Sequence, residues 1–257
     1  MELGDFTKLA KDYINRVGYS HLALSVIKTY IEKQNGIISG VADIGAGTGK
    51  LTLDLESLGC TGLAVEPNDA MRAEGIKAFE GRNTFCWSKG FAEQTELPDN
   101  SVDWVLMGSS FHWTDTAVAL KEFHRILKPG GFFTAIWNPR NIESSSFHMD
   151  IENTIQTMIP NLKRNSSGSR SNMKDMESKL LSTEYFTDLF LVEAPHDTIM
   201  TKERYMGAWR SVNDIQAQAG EEGFQHILHM IEDKISDMDT ITVPYLSRAF
   251  TVRSTKR

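Results

Sequence analysis

The sequence predicts an α/β fold built on a doubly wound, mostly parallel sheet. Three observations carry that expectation. Short apolar runs alternate with helix-patterned segments from residue 41 to 137, as successive βαβ units require. The first run, Val41–Ile44, passes directly into a glycine cluster at Gly45, Gly47 and Gly49 before the next helix. Val102 to Met107 is almost continuously apolar, as suits a central parallel strand buried on both faces.

Taken in order, residues 5–34 read as helical, with Ala23, Ile27, Tyr30 and Ile31 on one face and Asn35-Gly36 as the stop. After the strand at Val41–Ile44, Thr48 is placed to cap a helix carrying Leu51, Leu55 and Leu58 and ending at Gly59. Leu63 to Glu66 forms a second strand, and Pro67-Asn68-Asp69 opens a helix running to Phe79. Thr84 to Trp87 and Val102 to Met107 are the third and fourth strands. Val118 to Leu127 is a helix broken by Lys128-Pro129-Gly130-Gly131, and Phe132 to Trp137 is the fifth strand. Beyond Pro139 the pattern loosens. Helices are expected near 147–159, 174–182, 202–212 and 221–235, and strands at Phe186–Thr201 and Ile241–Val252. The polar run at 163–173 reads as a loop. One domain is therefore expected: a helical cap (1–36), a ligand-binding core (37–138), a helical lid insertion (139–185) and the rest of the sheet with its helices (186–257).

Composition narrows the function classes. A chain of 257 residues with 40% hydrophobic and 24% charged residues can bury a full core without disulfide or metal staples. The formal charge is −7, from 27 basic and 34 acidic residues, with no basic stripe. That argues against a nucleic-acid partner. Cys60 and Cys86 have no metal-ligand spacing and suit a reducing compartment, so no metal is expected. No signal peptide or membrane span is legible, so a soluble, cytoplasmic protein is expected, monomeric or homodimeric.

Asp43-Ile44-Gly45-Ala46-Gly47-Thr48-Gly49 joins a strand to a helix, where glycines permit a tight turn and close approach of a ligand. A phosphate loop would need Gly at 44 and Ser or Thr at 51; Ile44 and Leu51 exclude it. A dinucleotide fingerprint fails at its third glycine, where Lys50 stands. An acidic residue followed by three alternating glycines fits in full, although a glycine turn without any ligand satisfies the same pattern. Glu66, at the end of the next strand, tips the balance, since an acid there can accept both hydroxyls of a ribose.

Four segments then line up. Val41–Thr52 (VADIGAGTGKLT), Val65–Met71 (VEPNDAM), Gly90–Asp103 (GFAEQTELPDNSVD) and Leu127–Trp137 (LKPGGFFTAIW) together resemble the class I S-adenosylmethionine-dependent methyltransferases, in the small-molecule group called type 11. Ser109-Ser110-Phe111-His112-Trp113 resembles the His-Trp branch that includes trans-aconitate methyltransferases. The resemblance covers roughly 1–140 closely and 186–250 loosely. It implies a Rossmann-like, seven-stranded sheet with a reversed last strand, and S-adenosyl-L-methionine as cofactor. It places Gly45, Ala46 and Gly47 beside the methionine portion, with Asp43 anchoring the loop or the amino group. Glu66 and Pro67 fall at the ribose, Met71, Phe91, Ala92 and Glu93 at the adenine, and Tyr13, Arg16 and Ser109 around the cofactor. Two departures stand out. Phe91 replaces the aspartate that relatives often use at the adenine amino group, and Val17 follows Arg16 where relatives often have proline.

The resemblance implies an enzyme that methylates O, N or C of a small-molecule acceptor. Alternatives are a carboxyl O-methyltransferase of the trans-aconitate kind and a non-catalytic relative that binds the cofactor. Such a transfer rests mainly on alignment and exclusion of water, with a base needed only where the acceptor must lose a proton. His112, just past the fourth strand, is the candidate catalytic residue, to deprotonate or orient the acceptor; structural packing of His112-Trp113 at the sheet edge is the competing reading. Tyr19, Trp113, Trp137, Asn138, Trp209 and Arg210 are the candidate acceptor contacts. The three tryptophans form an aromatic wall if they converge.

Overall fold

The structure, a computed structural model, describes residues 15–163 and 173–257. Helix α1 (His21–Asn35) precedes β1 (Val41–Ile44), α2 (Lys50–Ser57), β2 (Gly62–Val65), α3 (Asp69–Ala78), β3 (Phe85–Ser88) and β4 (Val102–Gly108). Next come α4 (Thr116–Ile126), β5 (Leu127–Trp137), α5 (Ser146–Met158), α6 (Met176–Leu180), β6 (Phe186–Thr201), α7 (Lys202–Arg210), α8 (Asn213–Lys234) and β7 (Thr240–Ser254). The sheet has seven strands in the order β3-β2-β1-β4-β5-β7-β6. β1 to β5 pair in parallel, and β7 lies antiparallel to both neighbours. It is the Rossmann-like sheet with a reversed last strand expected from the sequence. The strand order reverses between β1 and β4, and ligands of open α/β sheets bind at that switch, outside the carboxyl ends of the strands.

Period-two alternation sends successive residues of the central strands to opposite faces. Trp104, Leu106, Phe132 and Ile136 pack with Leu24, Ile27 and Ile31 of α1 and Leu51 and Leu55 of α2. Val105, Met107, Phe133 and Ala135 pack on the other face with Leu120, Phe123 and Ile126 of α4. A third cluster gathers α5, α7, α8 and the far ends of β6 and β7 around Tyr205, Trp209 and Ile227.

Several local expectations are corrected. The first helix starts at His21, capped by Ser20, whose side chain accepts from the Ala23 amide. Residues 16–20 are instead a non-helical strap held by long-range bonds; the earlier part of that expected helix, with Tyr13, lies outside the described residues. Gly49, not Thr48, is the N-cap of α2, with φ +82° and no capping side chain. β5 begins at Leu127 and runs through Pro129 and the two glycines that were expected to separate helix from strand. A register shift between Val102 and Trp104 lets the proline sit there, since a bulge tolerates the missing donor. α8 starts earlier than expected and kinks at Gly220, φ 68°.

The insertion expected as a lid is anchored at both of its described ends. α5 buries Ile151 and Ile155 in the third cluster, and Met173, Met176 and Leu180 join the α4 face. Residues 164–172, the bulk of the polar run, lie outside those described. Among the described residues, no helix is long and apolar enough to cross a membrane. Cys60 and Cys86 are free.

Candidate active site

The turn after β1 is fastened to β2 by backbone bonds. The Gly45 and Ala46 amides both donate to the Val65 carbonyl, at 2.8 and 3.1 Å. Gly45, Gly47 and Gly49 take φ of +69°, +59° and +82°, the left-handed region that favours glycine. At Gly47 space matters as well as φ, because a Cβ would lie 3.3 Å from Met71 Cε. The Gly47 amide donates to Glu66 Oε2 and the Asn68 amide to Glu66 Oε1, each at 2.8 Å. Burial pushes the Glu66 carboxyl above its usual value, and these two amides oppose the rise. Asn68 Oδ1 caps α3 by accepting from Ala70 and Met71, which sets buried Met71 beside the glycine turn.

Asp43 is wholly buried within β1. Its Oδ2 accepts from Thr52 Oγ1 at 2.6 Å, which ties the first turns of α2 to the strand. Its Oδ1 has no hydrogen-bond partner. Burial is the chief cause of a rise to about 7; Thr52 opposes it, and the Glu66 and Asp54 carboxylates add to it. An orphaned carboxylate oxygen beneath a glycine cradle that any Cβ would crowd fits a ligand bearing a cationic or N–H group.

The strap closes the other side. The Tyr19 amide donates to Asp54 Oδ2 at 2.6 Å and the Tyr19 hydroxyl to Ser109 Oγ at 3.0 Å. Gly18 is required there, because a Cβ would fall 2.4 Å from Asp54 Oδ2. Burial raises Asp54 to about 6 against the pull of the Tyr19 amide. Arg16 reaches across to α7, donating to Ser211 Oγ at 3.0 Å and the Ser211 carbonyl at 2.8 Å. Ser109 has φ +55° and stands beside the strap at the carboxyl end of β4. Nothing in the sequence singled out Asp54; only the docked strap identifies it.

Other expected contacts are distributed differently. Ala92 is buried in a turn closed by paired bonds between Phe91 and Gln94, while the Phe91 ring is 55% exposed. Pro67 is partly buried, next to Glu66. Glu93 Oε1 accepts from the Asp115 amide at 2.8 Å, so this side chain braces the start of α4. Asn138 is occupied at both ends. Its Nδ2 donates to the Gly18 carbonyl at 2.6 Å, and its Oδ1 meets Ser247 Oγ and His196 Nε2 at 2.8 and 2.9 Å. The aromatic wall does not form. Trp137 is 1% exposed in the α4-face core, Trp209 is 1% exposed in the third cluster, and Trp113 is 52% exposed beside His112. Arg210 is exposed at the end of α7.

His112 sits in a short 3-10 turn (Phe111–Trp113) past β4. Trp137 Nε1 donates to its Nδ1 at 3.3 Å. An indole nitrogen only donates, so the neutral imidazole carries its proton on Nε2. Crowding of the ring by its neighbours lowers it to about 4, with Lys179 adding repulsion, while the residue's outer edge stays open to solvent. The arrangement offers an N–H donor at neutral pH rather than a base. Two surface depressions, one at Gly130, Asp188 and Arg253 and one at Val118, Lys121 and Tyr185, contain none of these residues.

Known proteins resemble this chain in sequence over its core and in fold over most of its length. Residues 42–135 match the family described as Methyltransferase domain, of the type 11 group. An uncharacterised methyltransferase of Mycobacterium tuberculosis is 42% identical over 101 residues, 39% of this chain and 40% of its own length. An uncharacterised methyltransferase of Schizosaccharomyces pombe is 28% identical over 228 residues, covering 81% of this chain and 83% of its own. In three dimensions, the structure of a putative type II methyltransferase from Anaeromyxobacter dehalogenans covers 92% of this chain and 97% of its own, with a TM-score of 0.65 at 16% identity. At that identity the likeness speaks for the fold.

Proposed function

We propose that this protein, whose residues 42–135 match the methyltransferase family of the type 11 group, moves a methyl group from S-adenosyl-L-methionine to an O, N or C atom of a small metabolite. One observation carries the reading: a left-handed glycine turn bonded to Glu66 above the orphaned Asp43 oxygen. Glu66 accepts one amide on each oxygen, and a carboxylate offers about four lone-pair sites. It therefore keeps capacity for two ribose hydroxyls. Met71 and the Phe91–Ala92 turn provide the surfaces for the adenine, and the strap with Tyr19 and Ser109 covers the methionine end. When bound, the cofactor supplies an electrophilic methyl group on a sulfonium.

The chain's own residues align and enclose. Burial around Trp137 and the strap keeps water out, and proximity supplies most of the barrier reduction. His112, as an Nε2–H donor, orients an acceptor oxygen or nitrogen; it takes no proton in this tautomer. The reading is tested by calorimetry with S-adenosylhomocysteine and with NAD, followed by transfer of labelled methyl into metabolite pools. Binding of the first alone, with label appearing in a small molecule, is the expected result. Failure to bind S-adenosylhomocysteine overturns the proposal.

A further inference from the structure

Between α5, α7 and the segment after β5 lies a group of buried polar atoms for which the glycine turn has no use. Tyr205 Oη, Trp209 Nε1 and His148 Nε2 have no hydrogen-bond partner, although these residues are only 1%, 1% and 3% exposed. They are neighbours: the His148 and Tyr205 rings lie 6.0 Å apart, and Tyr205 and Trp209 6.2 Å. The Trp209 indole N–H is near enough to favour Tyr205 ionisation, yet outside hydrogen-bond geometry, and burial outweighs it and raises the phenol. The Arg140 guanidinium stacks over the Trp209 ring at 4.0 Å, with no carboxylate in ion-pair contact among the described residues. Glu152 faces the same group, and its Oε1 is likewise buried without a hydrogen-bond partner.

Buried donors without acceptors are costly and rare in native proteins. Trp209 can only donate, Arg140 can only donate, and Tyr205 offers its proton. His148 Nδ1 lies 2.9 Å from Ser145 Oγ, so that hydroxyl can occupy Nδ1 and leave Nε2–H facing inward. Among the described residues, these donors outnumber the group's one orphaned acceptor, Glu152 Oε1, so the ligand must bring acceptors. One cation beside one carboxylate suits a monoanion better than a dianionic phosphate. A planar carboxylate also matches a guanidinium fork.

We infer that Arg140, Tyr205, Trp209 and His148 bind a carboxylate of the methyl acceptor, as a handle distinct from the atom that is methylated. The inference rests on the proposed function for the identity of the ligand as acceptor. Arg140 follows Trp137 by three residues, which span at most about 10 Å. Trp137 in turn donates to His112, so Arg140 belongs to the segment that holds His112.

The test is calorimetry with three- to six-carbon mono- and dicarboxylic acids, their amides and inorganic phosphate, with and without S-adenosylhomocysteine. At least one acid is expected to bind, with its amide about tenfold weaker or worse, and phosphate weaker still. Arg140→Gln and Tyr205→Phe should each weaken the acid about tenfold, as losing one charge-assisted bond does, and leave S-adenosylhomocysteine affinity unchanged. Tyr205→Phe should also keep the thermal midpoint, because its hydroxyl has no internal partner. Several outcomes overturn the handle: no acid binding, equal binding of acid and amide, tighter phosphate, an unaffected acid in both variants, or a midpoint lowered by several degrees in Tyr205→Phe. Failure of S-adenosylhomocysteine alone strikes the proposed function and leaves the acid titration to judge the handle.

Discussion

The two halves of the crevice are built on opposite principles. On the β1–β3 side, contacts are short in sequence: Gly47 to Glu66 and Asn68 to Met71 through backbone amides, and Asp43 to Thr52 between side chains. On the β5–β7 side, the chain gathers distant residues through side chains. Asn138 alone joins Gly18, His196 and Ser247, and Arg16 crosses to Ser211. The first half matches a family pattern because a turn of fixed φ leaves little choice of residue. The second half carries the unsatisfied donors of Tyr205, Trp209 and His148.

The sharpest way to break the comparison is Gly47→Val. A β-branched residue at φ +59° meets backbone strain, and its Cβ would press on Met71 Cε at 3.3 Å. Loss of S-adenosylhomocysteine binding by more than about a hundredfold is expected, against only about 1–3 kcal/mol of strain on the fold. A variant that folds and binds normally removes the turn from the site. Glu66→Ala comes next, with affinity falling by up to about a hundredfold, since a hydrogen bond to a charged group contributes roughly 1.5–3 kcal/mol. An unchanged dissociation constant ends the ribose assignment.

His112→Ala probes the other half. A donor that only orients its acceptor contributes about 1 kcal/mol, so labelled-methyl turnover should drop by roughly fivefold, with cofactor affinity intact. A fall of about a thousandfold, together with loss of an ionisation from the pH–rate profile, would instead mark His112 as a general base. A last test concerns stability rather than binding, at Asp43. Its folded carboxyl is raised from 3.8 to about 7, so the folded state holds a proton that the unfolded chain releases. Stability from this group is full below its unfolded value and is lost as pH rises towards 7. Asp43→Asn should remove a slope of at most about 1.4 kcal/mol per pH unit between about pH 4 and 7. Denaturant midpoints measured across that range check it; an unchanged slope means that Asp43 is charged in the folded protein.

The sequence by itself determined the alternation of strands and helices, the glycine turn and its acid. Each is set by local rules: period-two burial in Val102–Gly108, the left-handed φ of Gly45 and Gly47, the Asn68 cap that places Met71. Only the tertiary structure decided that residues 16–20 form a strap rather than helix, because the Asp54 carboxylate that holds Tyr19 comes from the far side of the glycine turn. It alone dispersed the tryptophans among two cores and solvent, and turned Glu93 and Asn138 into braces. It alone gave His112 a proton on Nε2, by bringing the Trp137 indole from another strand. In the same way it collected Arg140 and His148 beside Tyr205 and Trp209, of which only the last two are spaced as helix neighbours. A strand or a turn is specified by neighbours along the chain. A group drawn from three elements is specified by how those elements pack, and each of its residues looks locally like core or surface.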